Sequence, residues 1–428
     1  MTETWEIGME IYITIDHQWA GSHCMKIGFA VYSTPARTYN CIMTDRIGAP
    51  GTGISRREFL AASGGVGTAM LAGCTAGGRQ SATNPTLGEP PANVSGSDGK
   101  LPYTSPPEVV QVDDQGGEVT LSTQQCRHAV HPKETMGGPI ELPQVWAFKA
   151  DDGPASVPGP ILRTTEGNDM AVTLDNTDGM RPHTVHFHGS QKTWKNDGVP
   201  TTTGIQVEPG EKHTYSIPAN VPGTHFYHCH YQTHRHIDMG MYGILRVDPK
   251  GYEPADKEYF MTVKEWDSRL NRMMAGGDAQ YSPRDRNPDV FTINGKSAPR
   301  SFHPEDGSPI IVDKGDTVRV HFVNGGYMSH PLHTHNHRFE VIEHDGGVIP
   351  EVARYDQDVT NVAPAERRVI EFTADADPGI YLLHCHKVNH VMNGDSYPGG
   401  MLGAIVYREA MDSDIFGQLM EYAGYDGK

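Results

Sequence analysis

Two cysteines of this chain, Cys229 and Cys385, each stand between two histidines, so that residues 228–230 and 384–386 both read His-Cys-His. Alternate residues of a β-strand point to opposite faces, so the sulfur of such a run points one way and both imidazoles point the other. A thiolate with two imidazoles and a weak thioether is the ligand set of a blue-copper site, which transfers single electrons. We therefore predict that each run ligates a blue copper on one face of a strand and a copper cluster on the other.

Each His-Cys-His run is preceded by a run of the form His-x-x-His-x-His. The first copy spans residues 183–188 and 228–230, and the second spans residues 330–335 and 384–386. One His-x-His pair would be ordinary in a chain with 23 histidines, but the same arrangement repeated in the same order predicts a metal-binding constellation. Imidazoles without a thiolate suit a cluster of copper ions that binds dioxygen. The adjacency of cysteine and histidine would give electrons a short covalent path between the two kinds of site.

The chain must supply a further imidazole and a thioether for each blue copper after the His-Cys-His run. In the first copy the candidates are His236 with Met241 or, as the alternative, His234 with Met239; the members of each pair are five residues apart. The Gly-Met step at Met241, with the apolar residues after it, is repeated at Met401 in the second copy. This repeat favours Met241 and, with it, His236.

In the second copy, His390 is the imidazole that follows the His-Cys-His run, and Met401 supplies the thioether. Met392 is nearer in sequence, but we expect it to pack rather than to ligate. The separation between His390 and Met401 is longer than in the first copy because residues 393–399 are inserted, and Gly and Pro mark this insertion as a loop. We expect the loop to lie beside the second blue copper.

These runs resemble those of the multicopper oxidases, specifically the two-domain members with a blue copper in both domains. The resemblance extends from about residue 118 to residue 408. It includes Val-Pro-Gly-Pro-Ile at 157–161, Asp-Gly-Val-Pro at 197–200 and Lys-Gly-Asp at 314–316. The segments rich in aromatic and β-branched residues, separated by turn signals, independently predict an all-β chain. We expect two tandem cupredoxin-like Greek-key β-barrels or sandwiches, preceded by a signal and tether segment.

The resemblance implies a role for each candidate ligand. The first blue site would comprise His183, Cys229, His236 and Met241. The second blue site would comprise His330, Cys385, His390 and Met401. A type 2 copper would be held by His186 and His333, one type 3 copper by His188, His228 and His386, and the other by His230, His335 and His384. We predict no catalytic residues beyond these copper ligands.

The resemblance also implies a homotrimer, in which each cluster lies between the first domain of one subunit and the second domain of its neighbour. Cyclic closure of a head-to-tail interface is consistent with that arrangement. Five segments are predicted: a leader at 1–106, a cupredoxin domain at 107–250, a connection at 251–288, a second cupredoxin domain at 289–410 and a tail at 411–428. Within the connection we expect a strand of the first domain followed by a loop, and in the tail a short helix.

The net charge limits the possible binding partners, and the cysteine content limits the possible disulfide bonds. The net charge of −18 argues against nucleic acid and against an anionic membrane surface as partners. Of the six cysteines, two are assigned to copper, and Cys126 is expected to be a buried free thiol. Cys24 and Cys41 lie in the leader, and no disulfide framework is implied.

The leader contains two targeting patterns. Arg56 and Arg57, followed by a short apolar run, resemble a twin-arginine export signal, and residues 71–74 (Leu-Ala-Gly-Cys) resemble a lipoprotein processing box. This box implies that Cys74 would carry the lipid, and the apolar run is too short for a lasting membrane helix. We expect the true start at Met43, a flexible tether at 75–106, and an exported, extracytoplasmic and lipid-anchored protein.

Three functions could use copper sites of this kind. The resemblance implies four one-electron oxidations of a reductant, a phenolic or aromatic compound or a metal ion, coupled to reduction of dioxygen to two waters. The alternative is a copper-containing nitrite reductase, which is built from the same two-domain trimer but needs one blue copper and one type 2 copper held by three imidazoles. A copper-binding electron carrier would have no use for the cluster histidines. The full set of cluster histidines favours the oxidase.

Overall fold

The computed structural model describes residues 2–7, 11–16, 101–102, 104, 107–131, 139–305 and 307–423. The chain forms two compact units, residues 1–84 and 85–428. In the first unit, β1 (Thr2–Ile7) pairs antiparallel with β2 (Ile11–Asp16). Among the described residues, no helix is both long enough and apolar enough to cross a bilayer.

Most predictions for the leader lie outside the described residues. They concern the export signal, the lipid-attachment site, the start of translation and the two leader cysteines, namely Arg56, Arg57, Cys74, Met43, Cys24 and Cys41. The predicted tether at 75–106 is described only at its end. There Thr104 N donates to the carbonyl of Arg127 at 3.0 Å and Arg127 N donates to the carbonyl of Pro102 at 2.7 Å. The chain is therefore attached to the folded part before residue 106, because these backbone groups find partners in a strand.

The described residues of the first half of the second unit form nine strands. They are β3 (Val109–Gln111), β4 (Glu118–His131), β5 (Ile140–Ala150), β6 (Ile161–Thr165), β7 (Met170–Asp175), β8 (His186–Phe187), β9 (Lys212–Ile217), β10 (Gly223–His228) and β11 (Tyr242–Asp248). One sheet has the strand order β3-β6-β11-β10-β8 and the other has the order β5-β4-β7-β9.

The second half repeats this plan with more strands. They are β12 (Lys257–Trp266), β13 (Val290–Ile293), β14 (Ile310–Val312), β15 (Thr317–Asn324), β16 (His330–Thr334), β17 (Phe339–His344), β18 (Gly347–Val348), β19 (Asp356–Gln357), β20 (Val359–Val362), β21 (Arg367–Thr373), β22 (Ile380–Cys385) and β23 (Leu402–Tyr407). One sheet follows the path β13-β12-β15-β21-β17-β18, with β19 paired to β17, and the other has the order β14-β23-β22-β16-β20.

Helices are short and few in the described part of the chain. The α-helices are α1 (Pro200–Thr203), α2 (Thr233–His236), α3 (Ser268–Met274) and α4 (Asp414–Ala423). Helix α4 agrees with the short helix expected in the tail. Single 3-10 turns occupy Val112–Gln115, Trp194–Asn196, Arg300–Phe302, Glu351–Ala353, Val388–Val391 and Arg408–Ala410.

Each half buries the apolar residues of its strands in a core of its own. In β7, Met170, Val172 and Leu174 are buried and alternate with half-buried residues, as expected for a strand with one face on the core. The second half has an equivalent core that includes Val318 and Val320 of β15. The structure confirms the predicted all-β fold of two cupredoxin-like β-sandwiches.

The two halves share a third apolar cluster. Phe226 and Ile244, on β10 and β11, pack in it with Trp266 and Val323 of the second half. Strand β10 is consequently buried at every residue, because one face covers the first core and the other meets the second half. Burial on both faces holds the two sandwiches together through the hydrophobic effect.

A buried ion pair also joins the halves. Arg246 of β11, with no exposed surface, donates to both carboxylate oxygens of Glu343 on β17 at 2.9 Å. The amide of Thr224 donates to the same carboxylate at 3.2 Å. A buried pair with additional hydrogen bonds tolerates little displacement, because separating it would leave a charge without a partner in a medium of low polarity.

Strand β12 corrects the prediction for the connection at 251–288. We expected a strand of the first domain there, but β12 runs parallel to β15 and antiparallel to β13, in the second half. Met261 and Val263 of β12 are buried in the second core. The strand therefore joins the sheet that buries its apolar face and pairs its backbone groups.

Helix α3 replaces part of the loop that was expected after this strand. Asp267 caps the helix, since its carboxylate accepts a hydrogen bond from Arg269 N. Leu270 and Met274 are buried against the first core, with Met273 packed beside them. The Met273–Met274 pair is thus accounted for by ordinary packing.

Candidate metal centres

The first candidate blue-copper site borders the core of the first half. His183 precedes β8, Cys229 follows β10 and His236 ends α2. The Cys229 Sγ atom lies 3.2 Å from His236 Nδ1 and 3.8 Å from His183 Nδ1, and the two nitrogens lie 3.2 Å apart. All three side chains are buried. The fold thus brings together residues that are up to 53 positions apart in the sequence.

The structure distinguishes between the two alternatives for the other ligands of this site. His234 is exposed and lies outside the groups of candidate ligands found among the described residues, whereas His236 lies inside one. Met239 and Met241 are both buried. Met241 N donates to the carbonyl of His236 at 3.0 Å, and its carbonyl accepts from Cys229 N at 3.1 Å. The geometry therefore favours His236, and these hydrogen bonds place Met241 beside the cysteine.

The second candidate blue-copper site repeats this arrangement. Cys385 Sγ lies 3.7 Å from His330 Nδ1 and 3.6 Å from His390 Nδ1, and the two nitrogens lie 3.2 Å apart. Met401 N donates to the carbonyl of His390 at 2.7 Å, and its carbonyl accepts from Cys385 N at 3.1 Å. Met401 thus holds the same place as the first-half methionine. Met392, which we expected to pack, is partly buried.

The inserted residues 393–399 form the expected loop. Asn393 closes it, because its side-chain oxygen accepts from Gly400 N at 2.8 Å and its amide donates to the carbonyl of Ala298 at 2.8 Å. Tyr397, near the end of the loop, is 69% exposed. The loop is therefore anchored at its base beside Met401 and presents an aromatic side chain to solvent.

Both donor sets fit copper. Two imidazole nitrogens and a sulfur separated by 3.2–3.8 Å surround a point at which bonds of about 2.0–2.3 Å to each atom are possible. Burial lowers the pKa of His183 to about 3 and that of His390 to about 4, so these rings are neutral, as ligands must be. Burial raises the pKa of Cys229 to about 12, and a bound cation would convert this thiol into a thiolate.

On the opposite face of the first half, four histidines form a group that we call the first tetrad. Its nearest members, His188 and His228, have their Nε2 atoms 3.1 Å apart. The Nδ1 atom of His228 donates to the carbonyl of Cys229 at 2.9 Å, and that of His186 donates to the carbonyl of Asp197 at 2.6 Å. Such bonds orient the rings and leave Nε2 free to accept a metal. The first tetrad consists of His186, His188, His228 and His230.

The second half has an equivalent group, the second tetrad. His335 and His384 have their Nε2 atoms 3.1 Å apart. The Nδ1 atom of His384 donates to the carbonyl of Cys385 at 3.0 Å, and that of His333 donates to the carbonyl of Asp358 at 2.7 Å. The second tetrad consists of His333, His335, His384 and His386. Each interaction of the first tetrad described above therefore has a counterpart here.

The predicted separation of sulfur and imidazoles is confirmed in both halves. Cys229 belongs to the first core and Cys385 to the second, whereas the flanking histidines join the tetrads. The tetrads differ in exposure, because His335 and His386 are exposed while His228 is buried. Among the described residues, no ring contact connects one tetrad with the other.

Sequence reasoning missed the residue that holds His330 in place. Glu265 of β12 is buried, and its Oε2 atom accepts a hydrogen bond from His330 Nε2 at 2.8 Å. Burial raises the pKa of the Glu265 carboxyl, but the hydrogen bond from His330 and the charge of Lys264 outweigh this effect, and the pKa is lowered. No spacing rule relates a residue of the connecting segment to a ligand 65 positions later.

The first blue site adjoins a cavity of about 560 Å³ that was also not predicted. His183 and Trp146 contribute to its wall together with Gln125, Met180 and Arg181. The Arg181 guanidinium lies over the Trp146 ring at 4.7 Å. The cavity therefore extends to a histidine of the first candidate blue-copper site.

Cys126 agrees with its prediction. It is a buried free cysteine, and burial raises the pKa of its thiol to about 12. A thiol in this state is unreactive.

Comparisons with known proteins identify the family of the chain. Two family models described as multicopper oxidase match residues 154–251 and 279–397. The crystal structure of a blue copper oxidase from Nitrosomonas europaea is 30% identical, with a TM-score of 0.60 over 73% of this chain and 90% of that one. The multicopper oxidase mgLAC is 31% identical, with a TM-score of 0.59 over 69% of this chain and 88% of that one.

A copper-containing nitrite reductase of Neisseria meningitidis serogroup B is also similar. It is 27% identical over 303 residues, which cover 68% of this chain and 70% of the reductase. The fold and the two His-Cys-His sites define a copper protein built from cupredoxin-like sandwiches. The chain belongs to the multicopper oxidase family and is a copper oxidoreductase of that family.

Proposed function

We propose that the protein is a laccase-like oxidase, which couples four one-electron oxidations of a reductant to the reduction of dioxygen to two waters. One observation carries the proposal: each half sets a tetrad of histidines on the opposite face of the strand from a cysteine-centred site. Eight imidazoles exceed the needs of a single type 2 copper and match a cluster of one type 2 and two type 3 ions. Copper, when bound, would carry single electrons at the blue sites and hold dioxygen at the cluster.

The backbone of each His-Cys-His run would conduct electrons from blue site to cluster. Cys229 is covalently joined to His228 and His230, so the route from sulfur to imidazole consists of a few bonds. The hydrogen bond from His228 Nδ1 to the carbonyl of Cys229, 2.9 Å long, provides a second, shorter route. The second half has the same hydrogen bond between His384 and Cys385 at 3.0 Å.

We propose that the cluster is completed by association of three subunits. Each tetrad would supply one ligand for the type 2 ion, two ligands for one type 3 ion and one ligand for the other type 3 ion. Two tetrads are therefore needed to hold all three ions of the cluster. His335 and His386 are exposed in the single chain, as residues awaiting a facing tetrad would be. A head-to-tail ring would pair the first half of each subunit with the second half of the next.

A copper-containing nitrite reductase is the second candidate. It is favoured by the similarity to the Neisseria meningitidis enzyme and by a carboxylate near a predicted type 2 ligand. The Asp197 Oδ1 atom lies 3.4 Å from His186 Nδ1, within reach of a proton relay. In such an enzyme, however, part of each tetrad would have no metal to bind.

Metal content and turnover distinguish the two candidates. The copper-loaded protein should hold two blue and three cluster ions per subunit and should consume dioxygen with a phenolic, diamine or metal-ion donor. Two ions in total, with anaerobic reduction of nitrite and no uptake of dioxygen, would establish the reductase instead. A copper-replete protein that is inactive in both assays would support an electron carrier.

We also propose that the protein is exported and attached to a membrane by a lipid, on the strength of the Arg56-Arg57 pair and the sequence before Cys74. Mass spectrometry of the cell-derived protein tests this proposal. An N-terminal peptide that begins with lipid-modified Cys74 supports it, and a peptide that continues unmodified through Cys74 contradicts it.

A further inference from the structure

The two blue sites can be compared residue by residue, because an asparagine side chain closes the loop before each site with the same kind of hydrogen bond. The side chain of Asn176 donates to the carbonyl of Arg181 at 2.7 Å, and that of Asn324 donates to the carbonyl of Met328 at 2.6 Å. In each half, the first blue-site histidine follows two residues later. Strands β7 and β15, which lead into these loops, are therefore equivalent, as are their parallel neighbours β4 and β12.

This equivalence places Gln125 of the first half where the second half has Glu265. Gln125 is paired with Trp146 on β5, and Glu265 is paired with Phe291 on β13. The Trp146 ring packs against His236 of the first blue site, with ring centroids 4.8 Å apart. The Phe291 ring stacks on His390 of the second blue site, with ring centroids 4.3 Å apart. A neutral amide and a carboxylate thus occupy the same position beside the two blue sites.

The Glu265 carboxylate is held rigidly against its ligand. One oxygen accepts from His330 Nε2 at 2.8 Å, and the other accepts from the amides of Tyr327 at 2.6 Å and Met328 at 3.0 Å. A Cβ atom on Gly326 would lie 2.0 Å from this carboxylate, so a residue without a side chain is needed there. The backbone of the loop before His330 therefore encloses the Glu265 carboxylate and donates hydrogen bonds to it.

Gln125 makes different contacts. Its side chain lies 3.0 Å from the amide of Gln144 and donates to Met180 Sδ at 3.4 Å. Arg181, whose guanidinium lies over the Trp146 ring, is a cation near this site, and Arg235 is another. The first blue site thus has a guanidinium nearby, and in the described part of the chain no carboxylate is hydrogen-bonded to the His183 ring.

Other charges near the second site act over longer distances. Lys264 is next to Glu265 in the sequence, but its ammonium group lies 3.8 Å from the carboxylate of Asp238 and 3.3 Å from the carbonyl of Gly325. Lys387 also raises the positive potential around His390. The carboxylate in direct contact with the His330 ring has the largest effect, because charge interactions weaken with distance.

We propose that Glu265 makes the second blue site the one of lower reduction potential, and that Gln125 leaves the first site as the one of higher potential. A buried negative charge stabilises the oxidised copper, which carries one more positive charge than the reduced form. A carboxylate that accepts the imidazole proton also makes the ring a stronger donor to the metal. Arg181 acts in the opposite direction at the first site.

This inference rests on the proposed function and assigns different tasks to the two sites. At equilibrium, electrons collect at the first site. Weak reductants reduce that site, where His183 borders the cavity described above. Only stronger reductants reduce the second site, where Glu265 accepts a hydrogen bond from His330 Nε2.

An anaerobic spectroelectrochemical titration of the blue absorption tests the proposal. Cys385→Ser leaves only the first blue site and Cys229→Ser leaves only the second, so each potential can be assigned. We expect the ratio of reduced to oxidised copper at a common applied potential to be at least tenfold higher at the first site, equivalent to about 59 mV for a one-electron couple. Glu265→Gln should raise this ratio about tenfold at the second site, and Gln125→Glu should lower it at the first.

The matched control is Glu343→Gln, which removes a buried carboxylate that contacts neither blue site and should leave both potentials unchanged. Equal potentials in the unmodified protein, or a second site unaffected by Glu265→Gln, would overturn the proposal. If Glu265→Gln does not fold, Gln125→Glu decides: a lower first-site potential supports the proposal and an unchanged one contradicts it. Because no dioxygen is present, the result is independent of whether the protein is an oxidase.

Discussion

The two halves of the molecule share their metal-binding backbone and differ in what surrounds it. In both, a methionine amide donates to the carbonyl of the preceding histidine, and its carbonyl accepts from the cysteine amide. The surroundings diverge: His183 borders a cavity, whereas His330 is buried against Glu265. The first tetrad is largely shielded, whereas part of the second is open to solvent. The comparison shows that the same backbone hydrogen bonds surround both candidate sites, whereas the neighbouring side chains differ.

Removing one cysteine at a time is the strongest test of whether the two halves bind copper independently. Cys229→Ser should abolish the intense visible absorption of the first blue site and leave that of Cys385, because a hydroxyl cannot replace the thiolate. Cys385→Ser should do the reverse. Visible and paramagnetic resonance spectra measure both. Loss of both signals from either change would show that the halves do not bind copper independently.

The tetrads can be separated from the blue sites in the same way. His228→Ala should reduce dioxygen turnover to background, because a cluster ligand is lost, and should leave both blue absorptions in place. An oxygen electrode and the visible spectrum are the measurements. His213→Ala, on β9 and outside the tetrads, is the control and should retain turnover. A His228→Ala protein with normal turnover would remove the tetrad from the mechanism.

The ion pair between the halves should matter more for stability than an ion pair on the surface. Glu343→Ala removes one of the two carboxylates that pair with the buried Arg246 guanidinium and leaves Asp248 as the other, so we expect a loss of up to about 3–5 kcal/mol in the free energy of unfolding. Glu371→Ala removes a pair with Arg319 that is partly exposed to solvent, and about 0–1 kcal/mol is expected. Denaturant titrations measure both losses. Equal losses would mean that burial does not distinguish the two pairs.

Acid should destabilise the copper-free protein mainly through the first half. Burial lowers the pKa of His183 and of His228 to about 3, whereas the unfolded chain has a value of about 6.5. Between these values the unfolded state binds more protons, so stability falls as the pH falls, by up to about 1.4 kcal/mol per pH unit for each histidine. Above about pH 6.5 this contribution disappears.

Unfolding of the copper-free protein at several pH values checks this dependence. In the copper-loaded protein the dependence should be weaker, because a ring nitrogen bound to metal cannot take up a proton. In the copper-free protein, the resonances of His183 and His228 should show rings that remain neutral to lower pH than in the unfolded chain. Titration of His183 or His228 near 6.5 in the folded state would contradict the prediction.

Much of the metal-binding pattern followed from the order of residues. The alternation of a strand places Cys229 and its neighbouring histidines on opposite faces, and this is a local property that needs no knowledge of the fold. The repeat of the Gly-Met step indicated Met241 and Met401, which occupy equivalent positions beside their cysteines. Segments rich in aromatic and β-branched residues, separated by turn signals, also predicted the all-β fold.

Other features were decided only by tertiary structure. Strand β12 follows the first half in the sequence but pairs with β15, because its apolar residues are buried in the second core. That pairing brings Glu265 against His330, although 65 positions separate them. Burial likewise separated His236 from the exposed His234, two residues away. Pairing and burial depend on residues distant in the chain, so the surroundings of each copper ligand emerge only when both halves are folded.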